Sequence, residues 1–402
     1  MRDSWAEVTL GDVADINPDN TDQLRDNDEI TYIDLSSVSL AAGISADLFR
    51  GSYRTAPGRA RRIVRKDDVL ISTVRPYLKG FSMVPQYLDG AVASTGFCVL
   101  RAKRKQILPG LIWAVAGTDQ FVENLMSKAT GSSYPAVRPS DVAAHPIALP
   151  PLAEQTRIVD VMSSVDDYIA ALQQQADDAR AARNAVLHEL LTAGGDDWSA
   201  KNLGETLDIS RGGSPRPIQE FITDREDGVN WVKIGDASNS SKYIYETKEK
   251  IKLAGVEKSR KVTSGDFILS NSMSFGRPYI MRCDGCIHDG WLLLSNVAAH
   301  FNEDFLYNLL MSDHVQKQFN SLAAGSGVRN LNIEAVKEVV VSIPPLSAQQ
   351  EIASIANTLD EFVWALEATV QKAKRMRQSV LAALLSGEHE IPDTYDRLLG
   401  AA

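Results

Sequence analysis

The sequence is short of cysteine, of net positive charge and of long apolar runs, and each shortage excludes something. Three cysteines in 402 residues, Cys98, Cys283 and Cys286, cannot form a disulfide framework, which fits a reducing compartment. The CDGC pair with His288 close behind is at most half of a zinc set. With no second cysteine pair to complete a tetrahedron, a turn beside a strand is the plainer reading. No apolar run approaches the roughly 18 residues of a membrane span, and the opening MRDSWAEVTL has no apolar signal core, so the expectation is a cytoplasmic protein. The six histidines are scattered without HExxH or another ligand-spaced pair, so no metal site is expected.

Nucleotide and catalytic motifs are missing as well. There is no GxxxxGK[ST] loop, no glycine-rich fingerprint after a strand and no Asn-Pro-Pro-aromatic tetrapeptide; NPDN at Asn17 reads as a turn. Acidic residues are too common for the sequence to rule out a nuclease cluster, though nothing points to one. The expectation is a chain with no catalytic residues of its own. A net charge of −10 argues against a large nucleic-acid footprint unless the charges are unevenly placed.

What is present is a passage written twice. Residues 149–192 and 343–386 match without a gap at 14 of 44 positions, at an offset of 194. Shared residues include Pro150/Pro344, Gln155/Gln349, Asp166/Asp360 and Arg183/Arg377. Apolar residues recur every seventh position, at Ile158, Val165 and Leu172 and again at Ile352, Leu359 and Leu366. Heptads with proline at the entry and Gly194 or Gly387 at the exit predict two long helices packed as an antiparallel coiled coil. A third apolar row, with Met162 and Ile169 in one copy and Ala356 and Val363 in the other, widens the face beyond a two-stranded seam. That surplus suggests partner helices; an internal coiled coil without a partner is the alternative.

The duplication extends backwards. LGDVADI at Leu10 answers LGETLDI at Leu203, DVLIS at Asp68 answers DFILS at Asp266, and RPY recurs at Arg75 and Arg277. TGSSYPAVRPSDV at Thr130 answers AGSGVRNLNIEAV at Ala324. Runs such as VLIST, GFCVL and KEVVVSI predict strands, while LIWAVAGTDQFVENLMSKA and EDFLYNLLMSDHVQKQFNSLA have helical spacing. The expected fold is α/β, mixed α+β, in four segments: 1–148, a long helix in 149–195, 196–342, and a second long helix in 343–402.

This order, with LPPLAEQTRI and IPPLSAQQEI heading the two helices, resembles the specificity subunit of Type I restriction-modification systems over almost the entire chain. The resemblance implies two target recognition domains, each reading half of a split, asymmetric double-stranded DNA sequence. The helices would set the spacer between half-sites and dock two methyltransferase subunits, to which motor-nuclease restriction subunits can add. S-adenosylmethionine would belong to the methyltransferase and no cofactor to this chain. One departure is Ala348, where the first copy has Glu154 near the helix N-terminus. A non-catalytic scaffold whose twin domains bind protein or another ligand is the competing reading.

Charge counted by segment softens the objection to DNA. Residues 1–145 carry 17 basic and 17 acidic side chains and 196–340 carry 17 and 20, whereas the helical segments are plainly acidic. The densest basic run supplies Arg50, Arg54, Arg59, Arg61, Arg62, Arg65 and Lys66. Arginine suits phosphate forks and guanine edges alike, although a solvated charged surface would look the same. The glycine–serine loops add Ser132, Ser133, Tyr134 and Arg138, with Ser326, Arg329 and Asn330 in the second half. The loops after DVLIS and DFILS add Arg75 and Lys79, and Asn271, Ser274 and Arg277; Arg211 and Arg216 complete the candidates.

Overall fold

The computed structural model describes residues 5–40, 43–237, 241–271, 275–323 and 330–399. The chain forms two compact units, Met1–Gln173 with Ala368–Ala402, and Gln174–Glu367. Each unit is a mostly β body carrying half of each long helix, and the expected mixed α/β class holds.

In the first unit, a four-stranded sheet is ordered Phe81–Met83, Val69–Ser72, Phe97–Ala102, Ala14–Ile16. A five-stranded sheet is ordered Asp19–Asn20, Ala60–Ile63, Val92–Ser94, Glu29–Ile33, Phe49–Ser52. The second unit has two five-stranded sheets, centred on Phe267–Ser270 and on Val229–Val232. A separate antiparallel pair closes each body, Ala6–Thr9 with Pro146–Leu149 and Ser199–Asn202 with Val340–Ile343. In each unit that pair delivers the chain into a proline turn and then a long helix.

Each helical run read from the sequence is in fact two helices. Pro109–Ala116 and Asp119–Lys128 are divided where Thr118 accepts a hydrogen bond from the Phe121 amide (3.2 Å). Glu303–Met311 and Asp313–Ala323 are divided where Ser312 accepts from Val315 (3.4 Å). Hydroxyl caps end one helix and start the next without breaking the apolar spacing, so periodicity alone does not reveal them.

The long helices span Leu152–Thr192 and Leu346–Leu385. Gln155 and Gln349, fully buried, explain why glutamine recurs. Gln155 accepts from the Leu108 amide (2.9 Å) and donates to the Gln106 and Pro150 carbonyls (both 2.9 Å). Gln349 makes the same three bonds to Asn302, His300 and Pro344 (2.8, 3.0 and 2.9 Å). One side chain thus fastens the proline turn, the helix start and the β body. Glu154 accepts from the Trp5 indole (3.0 Å), a bond for which Ala348 has no counterpart.

The repeated Arg and Asp pair across helices. In the second unit Arg183 forks onto Asp360 (2.8 and 3.2 Å) and also reaches Asn308 (2.9 Å). In the first unit Arg377 forks onto Asp166, with Nη2 at 2.8 Å. Together with Arg180 on Glu367, these contacts fix an antiparallel register.

The buried seam differs in one respect from the heptads read from the sequence. Ile158 and Ile352 are buried, but Val165, Leu172, Leu359 and Leu366 are only half-buried. The most enclosed positions are Met162, Ile169 and Ala176 on one helix and Ala356, Val363 and Val370 on the other. Ile158 and Ile352 sit in the cores of the β bodies, and Met162 shares the first of these cores with Ile158. Tyr168, Met376 and Phe362 are left 56, 55 and 58 % exposed. No helix among the described residues is long and apolar enough to cross a membrane.

Candidate nucleic-acid interface

Several recurring motifs turn out to hold turns together. Asp68 and Asp266, which open DVLIS and DFILS, each accept from the amide three residues earlier, Arg65 (2.8 Å) and Thr263 (2.7 Å). Asp12 and Glu205 do the same for Thr9 (2.8 Å) and Asn202 (3.3 Å). Buried Asp68 also receives both arms of Arg101 (2.9 and 2.8 Å), which lifts the already high guanidinium pKa further. Cys98 is enclosed in a strand, and burial pushes its thiol up to about 12. Cys286 lies buried in Gly285–Ile287, Cys283 points its thiol at the Ile244 carbonyl (3.8 Å), and His288 lies between Trp231 and Trp291.

The basic run is distributed over the five-stranded sheet of the first unit. Arg50 lies on the edge strand, Arg54 in the turn after it, Arg61 and Arg62 on Ala60–Ile63, and Arg65 and Lys66 in the following turn. All but the half-buried Arg62 are exposed, Arg59 included. The strand of Arg50 is three positions from that of Arg61, about 14 Å at the usual strand spacing, so the run is spread rather than concentrated. Part of its donor capacity is used internally: Arg61 donates to Tyr53 Oη (2.6 Å) and Arg65 lies 3.7 Å from Asp19.

The loops bring other candidates together. Val74 bridges Ala136, the Arg75 amide donates to the Pro135 carbonyl (2.7 Å) and the Val137 amide to Thr73 (2.9 Å), joining the DVLIS loop to the glycine–serine loop. The latter turns at Gly131, whose φ of 95° suits only glycine. Arg75 stacks its guanidinium 4.1 Å from the ring centre of Tyr134, which is 67 % exposed. Lys79, by contrast, is paired with Asp119 (2.6 Å). Ser132, Ser133 and Arg138 are exposed.

In the second unit, exposed Arg211 donates to the Asp289 carbonyl (3.0 Å), and exposed Arg216 lies 3.8 Å from the Asp289 carboxylate. Asn271 is 4 % exposed, and its amide is bound to the Asp289 carbonyl (2.9 Å), so in this structure it supports the loop from inside. Half-buried Arg277 stacks over Tyr279 (5.5 Å), Asn330 is exposed, and Ser274, Ser326 and Arg329 lie outside the described residues. The recurring RPY is also not one structural position. The Ser72 amide closes its loop on Gly80 (3.1 Å) and the equivalent Ser270 amide on Arg277 (3.0 Å), so Arg277 corresponds to Gly80 and not to Arg75.

Tyr77 and Leu78, not among the candidates above, stand 48 and 60 % exposed in the turn after Arg75. The available signal was an aromatic residue beside arginine and proline in a polar loop. His145, one of the scattered histidines, has an ordinary core role: it is buried edge-on to Phe121 with Nδ1 3.1 Å from Asn124. Burial, with Lys128 nearby, pulls its pKa down to about 4.

A family model for the Type I restriction modification DNA specificity domain matches this sequence twice, over residues 2–178 and 195–373. The chain belongs to this family. It is 23 % identical over 288 residues to the Type I restriction enzyme MjaVIII specificity subunit of Methanocaldococcus jannaschii, a match covering 66 % of this chain and 67 % of that one. It is 22 % identical over 167 residues to the HindI specificity subunit of Haemophilus influenzae, spanning 41 % of this chain and 36 % of the relative. A solved chain from work on the complex assembly and conformational transition of the type I R-M system aligns at 25 % identity and a TM-score of 0.68, over 96 % of this chain and 98 % of the other. As a family member, the chain has its two specificity domains on the two halves of the repeat.

Proposed function

We propose that this chain is the DNA-reading subunit of a Type I methylation and restriction complex. Each unit reads one half of a split, asymmetric sequence, and the long helices carry two methyltransferase subunits and set the spacer. Restriction subunits join through the same complex, S-adenosylmethionine is held by the methyltransferase, and the chain acts in the cytoplasm without catalytic residues of its own. The observation that carries this reading is the coincidence of two DNA specificity domain matches with a structural repeat that extends to the paired glutamines.

Physical chemistry supports the division of labour. Helix acidity of 3 basic to 7 acidic residues in 146–195 and 5 to 8 in 341–402 repels phosphates, whereas each β body is near neutral and presents its arginines in loops and on one sheet. The apolar residues left uncovered on the helices, Tyr168 and Met376 in one unit and Phe362 and Trp364 in the other, suit protein partners. The test is the genome-wide DNA methylation pattern of source cells with and without this gene, read by single-molecule sequencing. Loss of one split motif on deletion is the expected result; an unchanged pattern in cells that express the chain would overturn the proposal.

A further inference from the structure

Arg75 combines a fixed backbone with an aromatic stack. Its backbone sits in the left-handed region at φ 48°, ψ 58°, a conformation that costs a non-glycine residue energy and survives only where its surroundings enforce it. The enforcing contacts are the Val74–Ala136 bridge, the Arg75–Pro135 bond and the Thr73 hydroxyl and amide, both 2.8 Å from the Gly96 carbonyl. Tyr134 stands in a hairpin closed by two Thr130–Ala136 bonds of 2.9 Å, so both partners of the stack are carried on fixed backbone.

The guanidinium is also unspent. Among the described residues no carboxylate or carbonyl is bonded to it, and its enclosed Nε has no hydrogen-bond partner. Among the candidates, Arg61, Arg65 and Lys79 have polar partners inside the fold, whereas Arg62 shares with Arg75 an enclosed Nε without a hydrogen bond. A guanidinium held 4.1 Å over a ring centre has lost rotational freedom, and its two terminal nitrogens are coplanar donors. That geometry fits the O6 and N7 acceptors of guanine in the major groove.

The position in the repeat separates reading a base from holding a phosphate. A residue that only anchors the backbone would serve both units equally, whereas one that reads a base belongs among the features in which the units differ. The two RPY turns are closed at different places, so Arg277 is not the counterpart of Arg75, and the units differ at this point.

We infer that Arg75, stacked on Tyr134, reads a guanine in the half-site taken by the first unit, a role that rests on the DNA-reading function proposed above. The experiment is the methylation motif of cells carrying Arg75→Gly in the full chain. Glycine suits the left-handed backbone, so the variant loses the side chain without straining the fold, and thermal melting of the purified chain verifies this. The expected result is a motif in which one guanine of one half-site becomes degenerate, with discrimination there falling roughly 5- to 150-fold and the other half unchanged. Tyr134→Phe, which keeps the stacking ring, should leave the motif intact, and Tyr134→Ala should relax the same position in part.

If methylation disappears altogether, selection from a randomised duplex pool by the purified variant at low salt supplies the motif instead. An unchanged motif with uniformly weaker methylation or binding would make Arg75 a phosphate contact and overturn the inference, as would failure of the variant to select any sequence that the wild type selects. Absence of any motif dependent on the wild-type gene would remove the functional reading itself, which distinguishes the two failures.

Discussion

Replacing Gln155 by leucine tests whether one buried side chain joins each long helix to its β body. Leucine fills nearly the same volume, so the loss is of hydrogen bonds rather than packing. It strands the Leu108 amide and deprives the Gln106 and Pro150 carbonyls of a donor. A buried unsatisfied amide costs about 1–3 kcal/mol, and two under-satisfied carbonyls add about 1 kcal/mol each, giving about 3–5 kcal/mol. Because Gln349 makes the same three bonds, Gln349→Leu should cost the same within about 1 kcal/mol. Urea denaturation of the full chain measures the loss, and hydrogen exchange shows where it falls: amides of 106–112 should lose protection in Gln155→Leu and those of 300–306 in Gln349→Leu. A loss under about 1 kcal/mol in either variant, or unaltered exchange at its own site, would refute the reasoning.

Other expectations follow from charges placed in the fold. His145 titrates near 4 when folded against 6.5 ordinarily, so its contribution is complete above pH 6.5 and fades as pH falls toward 4. About 2 kcal/mol should be lost by pH 5, and His145→Gln should flatten that part of the stability–pH curve measured by denaturant titration. A double-mutant cycle on Arg183–Asp360, both about one-fifth exposed, should give a coupling of about 1–2 kcal/mol, larger than that of Arg377–Asp166, whose aspartate is 42 % exposed. Arg157 is 7 % exposed and binds Asp396 (2.7 and 3.0 Å) and Asp393 (2.5 Å). Arg157→Ala should therefore free residues 391–396 to limited proteolysis while the helix beneath stays protected.

Legibility followed the kind of interaction. The long helices, their pairing and the duplication were legible because residue spacing is a property of sequence. Even there the buried row was misjudged, since the three apolar rows on each helix are equivalent until Ile158 and Ile352 enter the β cores. The internal caps at Thr118 and Ser312 were hidden because a hydroxyl can end a helix or ride on its surface. Asn271 shows the limit of reading loops by composition, because a polar side chain that supports a loop from within has the same letter as one that faces outward. The Arg75–Tyr134 stack joins residues 59 positions apart, and only the seam between two loops brings them together.

The first unit is completed by residues from far along the chain: Leu381, Leu384 and Ile391 lie in the same core as Leu10, Phe121 and Ile158, whereas the second unit is built from one uninterrupted stretch. During synthesis, then, the earlier-made body has to wait. At 5–20 residues per second, some 200 residues separate Gln173 from Leu381, a delay of about 10–40 s in which the start of the first long helix has no partner strand of helix to lie against. The body that leaves the ribosome first is the last to close, and a chain interrupted before residue 381 would carry an open core on its N-terminal side beside a finished second unit.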